Sequence, residues 1–228
     1  VADGAEVTRL VECSTYGCGP APDFDRLPLS TTLNDVFCLA RVSRLRGVTD
    51  APRLPHIIAT ERLDLISFSA EELWSLSRAE MTVPERRSFT NPEHILGGDD
   101  AWIATIFGDR LIAEPRHEGW TLRGIIHREE ATIIGHAGFH LAPDEEGMVE
   151  VGYTILPTWR GNRYATEALR GLIDAARTTN AVRTIQACIA PDNAASLAVV
   201  GHLGFTFSAA VIDEVDGIEH CYTLEVSP

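Results

Sequence analysis

An α/β (α+β) fold, with a mixed, mostly antiparallel sheet of six to seven strands and helices on both faces, is the architecture this sequence predicts. Three observations carry the prediction. First, the residue pattern is that of β-strands over Trp120 to His127, Ala131 to His140 and Val149 to Leu156. The links Arg128-Glu129-Glu130 and Pro143-Asp144-Glu145-Glu146-Gly147 are short and polar, as hairpin turns are, so the three strands are expected to be antiparallel neighbours. Second, the period lengthens after Pro157, and Ala165, Ala168, Leu169, Leu172, Ile173 and Ala176 fall on one helical face. Third, a strand (Val182 to Ile189), a helix (Ala194 to Leu203, stopped by Gly204) and a closing pair (Phe205 to Val211 and Glu219 to Val226, around Asp216-Gly217) follow. That order packs helices onto a mixed sheet.

Upstream, order is expected from near Ile57. Arg62 to Phe68 alternates like a half-buried strand, and Ser69 with Glu72 three residues later is a capping-box signature for the helix that follows. A further helix is predicted over Asp99 to Leu111, with Trp102, Ile103, Ile106 and Phe107 on one stripe.

Residues 1–55 read differently. They hold three of the five cysteines, five prolines and one passable helical stretch, Leu33 to Leu45. We expect a loosely ordered extension there and a single domain over residues 56–228. The chain opens on Val1 with no methionine before Met81. A non-standard start, a processed or fragmentary chain and a misassigned gene start all fit that opening.

Composition narrows the function classes. A formal charge of −14 argues against wrapping a nucleic-acid backbone and suits a cationic partner. No apolar run approaches the roughly 18 residues of a membrane span, and the acidic opening lacks the pattern of a signal peptide. A cytoplasmic protein is the expectation, with a homodimer as the prior for assembly. The cysteines (Cys13, Cys18, Cys38, Cys188, Cys221) are odd in number and irregular in spacing, so free thiols are expected rather than a disulfide framework or a zinc site.

Leu156-Pro157-Thr158-Trp159-Arg160-Gly161-Asn162-Arg163-Tyr164-Ala165-Thr166-Glu167 is a strand end, a polar loop and a helix start. The free N–H groups of such a helix, the dipole behind them and two arginines suit a pyrophosphate. An ordinary strand-to-helix connection reads the same way. Three other runs stand in order around it: Val149-Glu150-Val151-Gly152-Tyr153, Pro191-Asp192-Asn193-Ala194-Ala195-Ser196 and Leu203-Gly204-Phe205. Together they resemble the Gcn5-related N-acetyltransferase superfamily, above all the branch that includes the ribosomal-protein-alanine N-acetyltransferases, where E-[IV]-G-Y, G-Y-A-T-E-A, N-x-x-S and L-G-F recur in this order. The resemblance covers Ala131 to Val226, reaches loosely back to Thr60-Glu61-Arg62-Leu63 and leaves residues 1–55 uncovered.

The resemblance implies the acyl-CoA N-acyltransferase fold, acetyl-CoA as co-substrate, and direct attack on its thioester by a primary amine of a small molecule or protein N-terminus. Such attack needs no metal. It further implies that Arg160, Gly161, Asn162, Arg163, Tyr164, Ala165 and Thr166 hold the pyrophosphate, in a segment whose usual pattern is [QR]-x-x-G-x-[GA]. Here Arg163 replaces the inner glycine. Arginine tolerates positive φ poorly, so a right-handed backbone there would preserve the loop and let Arg163 reach a phosphate; a solvated side chain beside an intact loop is the other reading. Asn193 and Ser196 are implied to face the pantetheine arm and thiol, which places Ser196 to hydrogen-bond or protonate the departing thiolate, a role that often falls to a tyrosine in this superfamily, although no tyrosine here stands at an obviously matching position. Read from the residues alone, Asn193 is an N-cap and Ser196 a first-turn residue. The backbone of Ile155 and Leu156 is implied to bond the acetyl carbonyl and pantetheine. Glu150 is implied to be the base, acting through water, although a strand glutamate also serves as a plain solvent-facing residue. His136 and His140, at same-face spacing on one strand, either line an amine pocket or are ordinary strand histidines. A non-catalytic acyl-CoA-binding or regulatory module on the same fold is the alternative function.

Overall fold

The computed structural model describes residues 52–213 and 217–226. The extension expected over residues 1–55, apart from its last four residues, lies outside them, as do the Leu33 to Leu45 helix and Asp216 of the closing turn. Eight strands form one sheet in the order β1-β2-β3-β4-β5-β6-β8-β7. They are β1 (Ile57–Ala59), β2 (Leu63–Ser67), β3 (Arg123–His127), β4 (Thr132–Phe139), β5 (Met148–Ile155), β6 (Thr184–Ile189), β7 (Thr206–Asp213) and β8 (Gly217–Glu225). All neighbouring pairs are antiparallel except β5 with β6. The expected six to seven strands become eight because of β1, an edge strand of three residues, too short for a period to register in sequence.

Among the described residues, five α-helices flank the sheet: α1 (Ala70–Ser77), α2 (Thr82–Arg87), α3 (Ala101–Ala113), α4 (Tyr164–Thr178) and α5 (Ala194–His202). The capping box forms at α1, where the Ser69 hydroxyl accepts from Glu72 N–H and the Glu72 carboxylate accepts from Ser69 N–H. Glu72 also binds Arg86 and Arg87. Burial by itself raises the Glu72 pKa, but the Ser69 N–H and the two arginines outweigh it and hold the carboxyl below its ordinary range.

Two cores lie on opposite faces of the sheet. The larger joins Ala168, Leu169, Leu172 and Ile173 of α4 to Ile125, Ala137, Val151 and Ile185. The smaller joins Leu73 and Leu76 of α1 and Ile103, Phe107 and Leu111 of α3 to Ile66, Leu122 and Ile133. Helices therefore cover both faces, as expected. Leu54 is buried in the larger core, which ties the start of the described chain to the domain.

Cys188 and Cys221 are register partners on β6 and β8 and form a disulfide. This corrects the expectation of free thiols for these two residues: pairing depends on a cross-strand register between segments 33 residues apart, which spacing alone does not reveal. Cys13, Cys18 and Cys38 lie outside the described residues. Among the described residues, no helix is long and apolar enough to cross a membrane.

Candidate active site

The site begins where the one parallel pair comes apart. β5 and β6 pair only from Met148 to Glu150 and from Thr184 to Gln186, so the remaining five residues of β5, Val151 to Ile155, run on without β6 beside them. Their other edge is fully used. His140 N–H donates to the Glu150 carbonyl (2.8 Å) and Leu156 N–H to the Ile134 carbonyl (2.9 Å). Antiparallel ladders alternate, so the peptide groups of Glu150, Gly152, Thr154 and Leu156 turn towards β4; on the other side the Val151 N–H still faces Gln186 at the last step of the parallel ladder, and the peptide groups of Tyr153 and Ile155 turn into the opening. Of the two residues expected to meet the thioester, Ile155 faces this wedge and its carbonyl accepts from Arg160 Nε at 2.8 Å; the Leu156 N–H is committed to Ile134.

The polar loop closes one end of the wedge. A 3-10 turn, Pro157–Trp159, leads into Arg160, Gly161 and Asn162, and the Asn162 amide folds back to donate to the Trp159 and Arg160 carbonyls (3.2 and 3.3 Å). Arg163 caps α4 with φ 64° and ψ 18°, without a side-chain capping bond. It is therefore left-handed and not right-handed: the arginine adopts the backbone that glycine would take freely. Arg160, Gly161, Asn162 and Arg163 are exposed, while Tyr164 is buried and Ala165 and Thr166 are half-buried. The first N–H groups of α4 remain at the loop, the arrangement that favours an anion.

On one sheet face, β4 and β5 bring His136, His140, Glu150 and Thr154 together, because His136 is opposite Thr154 and the backbone of His140 bonds that of Glu150. Glu150 Oε1 is 3.6 Å from His140 Nδ1, and Gln186 Nε2 donates to Glu150 Oε2 at 3.5 Å. Gln186 is not evident from the sequence, since only the parallel register makes it the partner of Glu150. Arg110 of α3 reaches the His140 carbonyl (3.5 Å); burial holds its pKa below the ordinary value.

The opposite face carries α5. Asn193 does act as the N-cap, its side chain accepting from Ser196 N–H at 3.1 Å. The Tyr153 hydroxyl donates to the Ser196 carbonyl at 3.3 Å, so β5 and the first turn of α5 are joined across the wedge. Burial pushes the Tyr153 pKa up to about 12, which keeps the phenol protonated at neutral pH. Tyr153 lies inside a run that the sequence singles out, but its contact with α5 depends on the tertiary fold.

His136 is 1% exposed, and burial pushes its pKa down to about 4 from 6.5. The unfolded chain protonates this ring below pH 6.5, whereas the folded chain resists until about pH 4. Acidification through that window therefore favours unfolding, by roughly 3 kcal/mol at its lower end. Urea titrations at about pH 7 and about pH 4.5 should show this loss, and His136→Gln should reduce it.

The wedge, the loop and α5 lie within a segment recognised by its relatives. Residues 62–206 match the Acetyltransferase (GNAT) domain. Over 81 residues the chain is 33% identical to an uncharacterized N-acetyltransferase, p20, of Bacillus licheniformis, covering 36% of this chain and 46% of that protein. Over 99 residues it is 31% identical to the uncharacterized N-acetyltransferase YjdG of Bacillus subtilis, covering 43% and 59%. The matched stretches thus span about half the length of these curated relatives. The solved structure of RimL, a ribosomal L7/L12 alpha-N-protein acetyltransferase in complex with coenzyme A, has the same fold, with a TM-score of 0.55 at 14% identity over 74% of this chain and 97% of that one. With the domain match spanning more than half of its length, the chain belongs to the GNAT acetyltransferase family.

Proposed function

We propose that the chain transfers an acetyl group from acetyl-CoA to a primary amine by direct attack on the thioester. The observation that carries this reading is the wedge, which opens beside inward-turned peptide groups and ends at the N-terminus of α4. The pyrophosphate lies against the backbone of Arg160 to Thr166, where the helix dipole and the first-turn N–H groups favour it. The pantetheine arm follows the wedge past Asn193 and Ser196.

On the face of Glu150, the amine approaches as an ammonium ion. Glu150 accepts its proton, through water, and the neutral nitrogen attacks the carbonyl carbon. Peptide groups on the wedge side of β5 stabilise the oxygen charge that develops. The nitrogen of the tetrahedral adduct then releases its extra proton to water, the C–S bond breaks as the carbonyl re-forms, the new C–N bond remains, and Ser196 passes a proton to the departing thiolate from the α5 side and regains one from solvent. An acidic chain favours a cationic acceptor, such as a protein N-terminus, an aminoglycoside or a polyamine.

Incubation with acetyl-CoA and a panel of those three amine classes tests the reading. Free thiol and N-acetylated acceptor should appear in equal amounts. Binding of acetyl-CoA with no transfer to any amine would favour a non-catalytic module, and no binding would overturn both readings.

A further inference from the structure

We infer that Arg62 is a positioning residue for the anion loop, enforcing the left-handed backbone of Arg163 from outside the loop. The inference rests on the acetyl-CoA reading above. A left-handed residue with a Cβ is disfavoured, so something must hold Arg163 at φ 64°. Its φ and ψ describe the two peptide planes that meet at its Cα. The plane before it is held by Arg62, whose Nη2 donates to the Asn162 carbonyl at 3.1 Å. The plane after it is held by Glu167, whose N–H donates to the Arg163 carbonyl at 3.0 Å.

These two holders are bonded to each other. Glu167 Oε1 accepts from the Arg62 N–H (2.7 Å) and the Thr60 hydroxyl (2.6 Å), and Oε2 accepts from Arg62 Nε (2.7 Å). The Arg62 guanidinium also lies over the Tyr164 ring at 4.5 Å, and the Tyr164 hydroxyl meets His127 Nε2 at 3.1 Å. The turn between β1 and β2 is therefore fastened to the first turn of α4, and both planes at Arg163 are fixed against the same support. Burial raises the Glu167 pKa, but Thr60 and Arg62 outweigh it and keep the carboxyl ionised at neutral pH. With Arg62 gone, the Asn162–Arg163 peptide is free to rotate towards the right-handed region, which turns the loop N–H groups away from a shared anion.

A double-mutant cycle separates this from a simple charge effect. Calorimetry measures CoA binding to the wild-type chain, Arg62→Ala, Arg163→Gly and the double variant, with a melting curve for each. Arg62→Ala should weaken CoA about tenfold in the wild-type background. In the R163G background the same change should cost about twofold or less, because glycine reaches positive φ without support. An equal loss in both backgrounds, or none in either, overturns the inference. Should Arg62→Ala fail to fold, Glu167→Gln loosens the same support and enters the same cycle. A wild-type chain that binds no CoA overturns the acetyl-CoA reading and this inference with it; one that binds while the cycle shows no coupling overturns this inference alone.

Discussion

Glu150→Gln should lower kcat for acetyl transfer by about 10²- to 10⁴-fold, the usual contribution of a positioned proton acceptor. The substitution keeps the size of the side chain and removes its basicity. Glu150 is directed by contacts on both sides, His140 Nδ1 at 3.6 Å and Gln186 Nε2 at 3.5 Å, and an amide can occupy the same place. The KM for acetyl-CoA should therefore move little, since the loop proposed to hold the pyrophosphate begins ten residues on at Arg160. Steady-state kinetics with a reactive amine separates the two parameters. Unchanged kcat would show that another group takes the proton.

Gly135→Ala should be the most damaging single methyl addition at the site. A Cβ at Gly135 would lie 2.1 Å from the Thr154 carbonyl oxygen and 3.1 Å from the Ile155 Cα. Those atoms are backbone, so no side chain can swing aside, and β4 must separate from β5. We expect a loss of roughly 3 kcal/mol or more, seen as a fall of about 6–12 °C in melting temperature for a domain of this size. The displaced segment carries Thr154 and Ile155, so CoA binding should weaken as well. A melting temperature within about two degrees of wild type would mean that the strands accommodate the methyl group without separating.

The features legible in the sequence are local ones. The Ser69 and Glu72 capping box depends on two residues three apart, and the turns at Arg128 and Pro143 on a few polar residues, so both are readable without any tertiary contact. Glu150, Arg160, Asn193 and Ser196 likewise stand in short runs. Apart from β1, which is too short to register, the features that escape the sequence join distant segments. The Cys188–Cys221 pair, the Glu150–Gln186 contact and the opening of the wedge follow from strand register. The bonds from Arg62 to Asn162 and Glu167 that support Arg163 link residues about a hundred positions apart. At Arg163 itself, local propensity points to the wrong hand, because tertiary hydrogen bonds override a penalty of roughly 1–2 kcal/mol.

Occupation of the wedge and the loop by acetyl-CoA is tested most directly by amide hydrogen exchange, measured with and without saturating CoA. New protection is expected at Tyr153 and Ile155 on the wedge side of β5 and at Gly161 to Ala165 at the start of α4, with little change in α1 and α3. Saturating binding that leaves these amides unprotected, and protects another surface instead, would contradict that occupation.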